Sequence, residues 1–95
     1  MKITKKLGER VETLLQQAGY KIRYEKGNFK GGVCVLDDQK LIVVNKFYPF
    51  ESRVTTLLEV LTQIPIPDGL LEADDLQWIE VLRVQQSNVQ TVLAT

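Results

Sequence analysis

The stretch Val33-Cys34-Val35-Leu36-Asp37-Asp38-Gln39-Lys40-Leu41-Ile42-Val43-Val44-Asn45 decides how this chain folds. Two short aliphatic runs flank four polar residues, the pattern of two strands joined as a hairpin. Neither run alternates apolar with polar residues. Continuous apolar strands are usually covered on both faces, whereas a half-wet strand alternates. The hairpin therefore needs a helix on one face and a helix, another subunit or a partner on the other.

Upstream, Tyr20, Ile22 and Tyr24 alternate with Lys21, Arg23 and Glu25, the period of a half-buried strand. Lys26-Gly27-Asn28 reads as a turn and Gly31-Gly32 as a second flexible point. Before the strand, Leu7, Val11, Leu14, Leu15 and Ala18 form one apolar helical stripe, with Thr4 placed to cap its start. Gly19 sits where a left-handed residue ends a helix, so that Tyr20 folds back on Leu15. Gly8 weakens the first turn by up to ~1 kcal/mol.

Downstream, Phe50, Val54, Leu57, Leu58, Leu61 and Ile64 make the clearest helical stripe in the chain. Pro49 suits its first turn, and Pro65 and Pro67 stop it. Asp68-Gly69 turns the chain, and Asp74 or Asp75 can cap a short third helix from about Leu76 to Val84. Residues 78–84 also read as a strand. Gln85 to Thr95 are polar, with Val89, Val92 and Leu93 scattered among them, and read as a frayed tail. The expected fold is α+β: an N-terminal helix, a three-stranded antiparallel sheet, a long amphipathic helix and a short C-terminal helix. It forms a single domain over residues 1–84, followed by a tail over 85–95.

Ninety-five residues make one modest core. Apolar residues at 44% and charged residues at 25% place the chain among globular proteins and away from disorder. The longest aliphatic runs are four residues, so none spans a bilayer. Lys2, Lys5 and Lys6 lead into no apolar segment of the kind a signal peptide carries. The lone cysteine forms no internal disulfide, and the expected location is the cytoplasm. Net charge is zero but uneven. Residues 1–30 hold eight basic and three acidic side chains, net +5, which leaves −5 for the remainder. A basic surface for an anionic partner is one reading. Two solvated faces that neutralise each other within the fold or an oligomer are the other, and the zero total favours it.

The absences narrow the chemistry further. With no histidine and one cysteine, the common zinc ligand sets, thiol proteases and Ser-His hydrolases are excluded. No phosphate-binding or dinucleotide-binding glycine motif is present; Gly27, Gly31 and Gly32 precede a strand, whereas such loops open a helix. Cys34, inside an apolar strand with no histidine to activate it, reads as a small buried hydrophobe. Glu72, Asp74, Asp75 and Glu80 lack the calcium-loop pattern, and acids at a helix start follow from its dipole. Tyr20, Tyr24, Phe29, Phe47, Tyr48 and Phe50 could stack nucleobases beside Lys21, Arg23, Lys26 and Lys30, but aromatics at a strand-to-helix junction are more often core and core edge.

Phe29-Lys30-Gly31-Gly32-x-Cys34, followed by Leu41-Ile42-Val43-Val44-Asn45-Lys46 and a helix with Pro49 and Glu51-Ser52-Arg53, resembles a group of small bacterial proteins of uncharacterised function over roughly residues 8 to 64. No activity carries over from that group. The order helix, three strands, helix, with an apolar strand ending in Asn before the helix, also resembles the core of the ImmA/IrrE-type zinc metallopeptidases. Their active helix carries H-E-x-x-H. The corresponding stretch here is Leu58-Glu59-Val60-Leu61-Thr62. Glu59 falls on the motif's Glu, while Leu58 and Thr62 replace both histidines. The resemblance thus implies a domain without its metal or its peptidase activity.

The leading expectation is a non-catalytic, cytosolic protein-interaction module that self-associates through the doubly apolar hairpin, with no cofactor, no metal and no membrane. Its interaction surface is expected at Tyr24, Lys26, Phe29, Lys30, Lys46 and Tyr48. A single-stranded nucleic-acid-binding domain built on the basic first third is the alternative partner reading. A small-molecule or enzymatic role built on Glu59, Asn45, Arg53 and Tyr48 is the third possibility, since carboxylate, Tyr and Arg chemistry needs no histidine.

Overall fold

The computed structural model describes residues 2–26 and 33–94, with side chains for 2–26, 33–36 and 38–85. Its elements are α1 (Lys5–Gln17), β1 (Lys21–Glu25), β2 (Val33–Leu36), a 3-10 turn (Asp37–Gln39), β3 (Leu41–Asn45), α2 (Phe50–Gln63) and α3 (Ala73–Ala94).

α1 begins and ends as its sequence dictates. The Thr4 hydroxyl accepts a hydrogen bond from the Leu7 N–H at 3.1 Å and occupies one of the free donors of the first turn. At the far end Gly19 has φ +102°, a left-handed conformation that costs glycine little. The Tyr20 N–H then donates to the Leu15 carbonyl and the Gly19 N–H to the Gln16 carbonyl, both at 3.0 Å. That bonding pattern brings Tyr20 back over Leu15. Both side chains are buried in the core.

The sheet corrects the expected arrangement. It is mixed, with strand order β1-β3-β2. β2 and β3 form the expected antiparallel hairpin, but β1 runs parallel to β3 and lies on its other side. A parallel pair needs a crossover of about a dozen residues or more; residues 26–40, which include β2, supply it. The physical reason is composition. β3, apolar from Leu41 to Val44 and with four of its five residues buried, takes the centre, where both of its edges are paired. β1, which alternates with Lys21, Arg23 and Glu25, suits an edge whose second face meets water.

Register then sorts the side chains. Ile22, Ile42 and Val35 form one row across the sheet, and Tyr24, Val44 and Val33 form another. These rows point to the helices: Ile42 and Val44 are wholly buried in a cluster with Val11, Leu14, Leu15, Val54, Leu57 and Leu61. Each such side chain contributes roughly 1.5–3 kcal/mol by leaving water. α1 packs on β1 and α2, and α2 packs on β2 and α3. Gly8 faces α2 across the contact between the two helices. A Cβ there would lie 3.2 Å from Val54 Cγ2 and 3.4 Å from Phe50 Cζ.

Pro49 is the residue before α2 rather than part of its first turn. The helix ends before Pro65, and a residue from α3 completes that end. Arg83 Nε donates to the Thr62 carbonyl and Nη2 to the Ile64 carbonyl, both at 3.1 Å. A cation at a helix C-terminus also opposes its dipole. α3 begins at Ala73, with Asp74 and Asp75 in its first turn, and continues to Ala94. It is therefore longer than the expected Leu76–Val84 segment, and the strand reading of 78–84 does not hold. Ile79 and Leu82 bury its inner side. Arg10 of α1 lies 3.9 Å from the Trp78 ring centroid and 3.3 Å from Asp75, which fastens α3 to α1 as well.

Candidate functional site

Strand residues alternate between faces, so the rows not turned to the helices form a second, outer face. It carries Lys21, Leu41 and Leu36 in one row, Arg23, Val43 and Cys34 in the next, and Glu25 with Asn45 in the last. Every buried apolar side chain described in the three helices belongs to the inner cluster, and buried Leu41 lies outside it. Val43 and Cys34 are half-buried and Leu36 is 39% exposed. The outer face thus has an apolar centre on β2 and β3 and a charged border on β1. Arg23 and Glu25 make an exposed ion pair at 3.4 Å along that border. Cys34 is free and half-buried, less enclosed than a core cysteine.

The parallel pairing of β1 and β3 brings their last residues together. Glu25 is the register partner of Asn45, and the Lys46 N–H donates to the Glu25 carbonyl at 3.0 Å. Lys26 and Lys46 therefore follow the last paired residues of neighbouring strands, and both are exposed. Asn45 is buried; its Oδ1 accepts from the Phe47 N–H at 3.0 Å in a side-chain-mediated turn that leads toward α2. Tyr24 and Tyr48 are half-buried near the same end. Four of the six expected interaction residues thus converge here, although Tyr24 faces inward while the two lysines face water. Phe29 and Lys30 lie outside the described residues. Of the aromatics, Tyr20 is core, Phe50 is 42% exposed and Phe47 is 69% exposed, so Phe47 departs from the core reading.

The catalytic candidates are not drawn into one site. Glu59 is exposed on α2, and it lines neither cavity described below. Leu58 is buried in the core, and the Thr62 hydroxyl donates to the Glu59 carbonyl at 2.7 Å. Asp75 pairs with Arg10, and Glu80 with Arg83 at 3.4 Å. Among the described residues no group of three or more His, Cys, Asp or Glu could hold a metal ion, and no helix is long and apolar enough to cross a membrane.

Two cavities among the described residues bear on the site. One of about 390 Å³ lies between Val35 of β2 and Val60, Ile64 and Pro65 at the end of α2. Its walls are mainly apolar, with Lys40 held 5.2 Å from the Tyr20 ring centroid. The other, about 220 Å³, lies among α1, β1 and α2 and is lined by Lys5, Gly8, Glu9, Glu12, Tyr24 and Arg53, with Phe50, Val54 and Leu57 behind them. Arg53 Nε is buried with no hydrogen-bond acceptor among the described residues, and its guanidinium carbon lies 5.8 Å from the Tyr24 ring centroid. Burial pushes the Glu12 carboxyl above its ordinary value; Arg53 pulls it partly back and Glu9 adds a smaller push upward. Glu9, Glu12 and Lys5 were not among the residues expected from sequence. Their signal was there: Gly8, Glu12 and Leu15 fall on one side of α1, which places a carboxylate within a largely apolar sector.

No family model, curated protein or solved structure matches the chain.

Proposed function

We propose that the protein is a non-catalytic, cytoplasmic interaction domain that binds a second copy of itself through the outer face of its sheet. The observation that carries this reading is the face just described: an apolar centre of Leu36, Cys34 and Val43 beside a charged β1 border, opposite the face that the helices occupy. An apolar sheet surface gains by leaving water, and a like surface on another copy supplies a flat partner of matching shape. The border favours a copy over an arbitrary partner. Arg23 and Glu25 stand two residues apart on one strand. A two-fold arrangement of the faces sets Arg23 of each copy against Glu25 of the other, so the border is complementary to itself.

The test is the mass in solution by sedimentation or light scattering. The wild-type chain is expected to form a dimer whose population grows with protein concentration, and Val43→Glu is expected to be a folded monomer. A wild-type chain that stays monomeric at high concentration and low salt would refute the reading.

Exposed Phe47 beside Lys26 and Lys46 supports a second reading, the binding of single-stranded nucleic acid at the parallel end of the sheet. Glu25 and Glu51 stand close by in sequence and oppose it electrostatically. That reading requires salt-sensitive oligonucleotide binding, strongest at about 50 mM salt. Absence of binding there removes it.

A further inference from the structure

We propose that the cavity among α1, β1 and α2 binds a small zwitterion, with the ligand's carboxylate held by Arg53 and its ammonium by Glu9 and Glu12. The argument begins with Arg53. Its Nε is enclosed with no acceptor among the described residues, in a side chain that lines the cavity. A buried N–H without a partner is unfavourable, and a guanidinium presents its N–H groups as a planar fork suited to a carboxylate. A carboxylate in the cavity would therefore be received by the terminal N–H groups of a guanidinium that makes no ion pair among the described residues, since the Nε itself is closed off from solvent.

Glu12 provides the opposite half. It lines the same cavity from α1 and is partly withdrawn from water. It interacts electrostatically with Arg53, yet no ion pair joins the two. The two charges influence each other and line the same cavity, so a ligand carrying both signs could engage both. Burial raises the Glu12 carboxyl's affinity for a proton, and a ligand ammonium would relieve the same unfavourable charge.

Both signs in one cavity select the ligand class. A simple anion would meet Glu9 and Glu12, and a simple cation would meet Lys5 and Arg53. A molecule carrying both charges matches both pairs. The apolar walls, Val54 and Leu57, accept a short hydrocarbon link between them. At about 220 Å³ the space is smaller than the roughly 300–1,000 Å³ of sites for drug-sized ligands, so the ligand is small.

The experiment is a backbone amide chemical-shift titration of the full chain. The probes are glycine, β-alanine and 5-aminovalerate, which separate the two charges by increasing distances, with acetate and methylammonium as single-charge controls. At least one amino carboxylate is expected to give saturable shifts centred on Glu12, Tyr24 and Arg53. Acetate and methylammonium are each expected to bind about tenfold or more weakly, since each makes half of the charge-assisted contacts. Arg53→Gln and Glu12→Gln are each expected to lower affinity by a similar factor, whereas Glu59→Gln leaves it unchanged. If Arg53→Gln fails to fold, Glu12→Gln carries the test. No saturable shift with any of the three amino carboxylates, acetate binding as tightly as they do, or shifts centred elsewhere would overturn the proposal.

Discussion

Gly8 lies inside a helix, where alanine would be favoured by ~1 kcal/mol on propensity alone. Its role lies across the helix pair, because Val54 and Phe50 occupy the space that a side chain would need. Gly8→Leu is accordingly expected to destabilise the fold by about 1–3 kcal/mol in urea denaturation, the usual cost of overpacking. The sequence shows the glycine but not the reason for it, since the residues that crowd it are more than forty positions away. Glu12 poses a related case. Its carboxyl binds a proton more tightly in the folded chain than in the unfolded one. Between the ordinary carboxyl value near 4.5 and its raised folded value, the native state therefore holds more protons, and stability falls as pH rises through that interval. Glu12→Gln is expected to remove this decline, read as the change in urea midpoint from about pH 4 to pH 7 against the wild-type chain.

Elements that depend on local order were legible. The apolar stripes of α1 and α2, the Thr4 cap, the Gly19 stop and the β2–β3 hairpin each rest on contacts within a few residues. The end of α2 was legible only in part. Pro65 and Pro67 indicate where it stops, but the groups that satisfy its last carbonyls come from Arg83 on α3. Arg83→Ala is expected to cost about 1–3 kcal/mol, because two carbonyls lose a charged donor. Arg83→Lys should recover only part of it, since a single ammonium does not reproduce the fork. Thermal and urea unfolding of the three chains will rank them. The position of β1 was not legible. An alternating strand marks itself as half-buried, yet nothing in its own residues states which edge it joins or in which direction. Hydrogen exchange offers a direct check of the mixed sheet. Amides of β3, paired on both sides, should be the most protected of the strand amides, and the outward-facing amides of β1 and β2 should exchange faster.

At the scale of the whole molecule, the same strand order decides which surface is available. With both helices of the inner layer on one face, the apolar outer residues of β2 and β3 become the surface on which the proposed self-association would rest. A dimer gains stability by mass action, so the wild-type melting temperature should rise with protein concentration while that of Val43→Glu stays constant. The sequence by itself determined the α+β class, the helix boundaries near Thr4, Gly19 and Pro65, the hairpin, and the exclusion of histidine-based and paired-thiol chemistry. These follow from residue types, and from periodicities that act over one or two turns of chain. Only the tertiary structure decided the parallel pairing of β1 with β3, the split of one apolar hairpin into an inner and an outer face, and the meeting of Arg53, Glu12 and Tyr24 around one cavity. Those features depend on which distant segments exclude water together, and the free energy of that choice belongs to the packed whole rather than to any one segment.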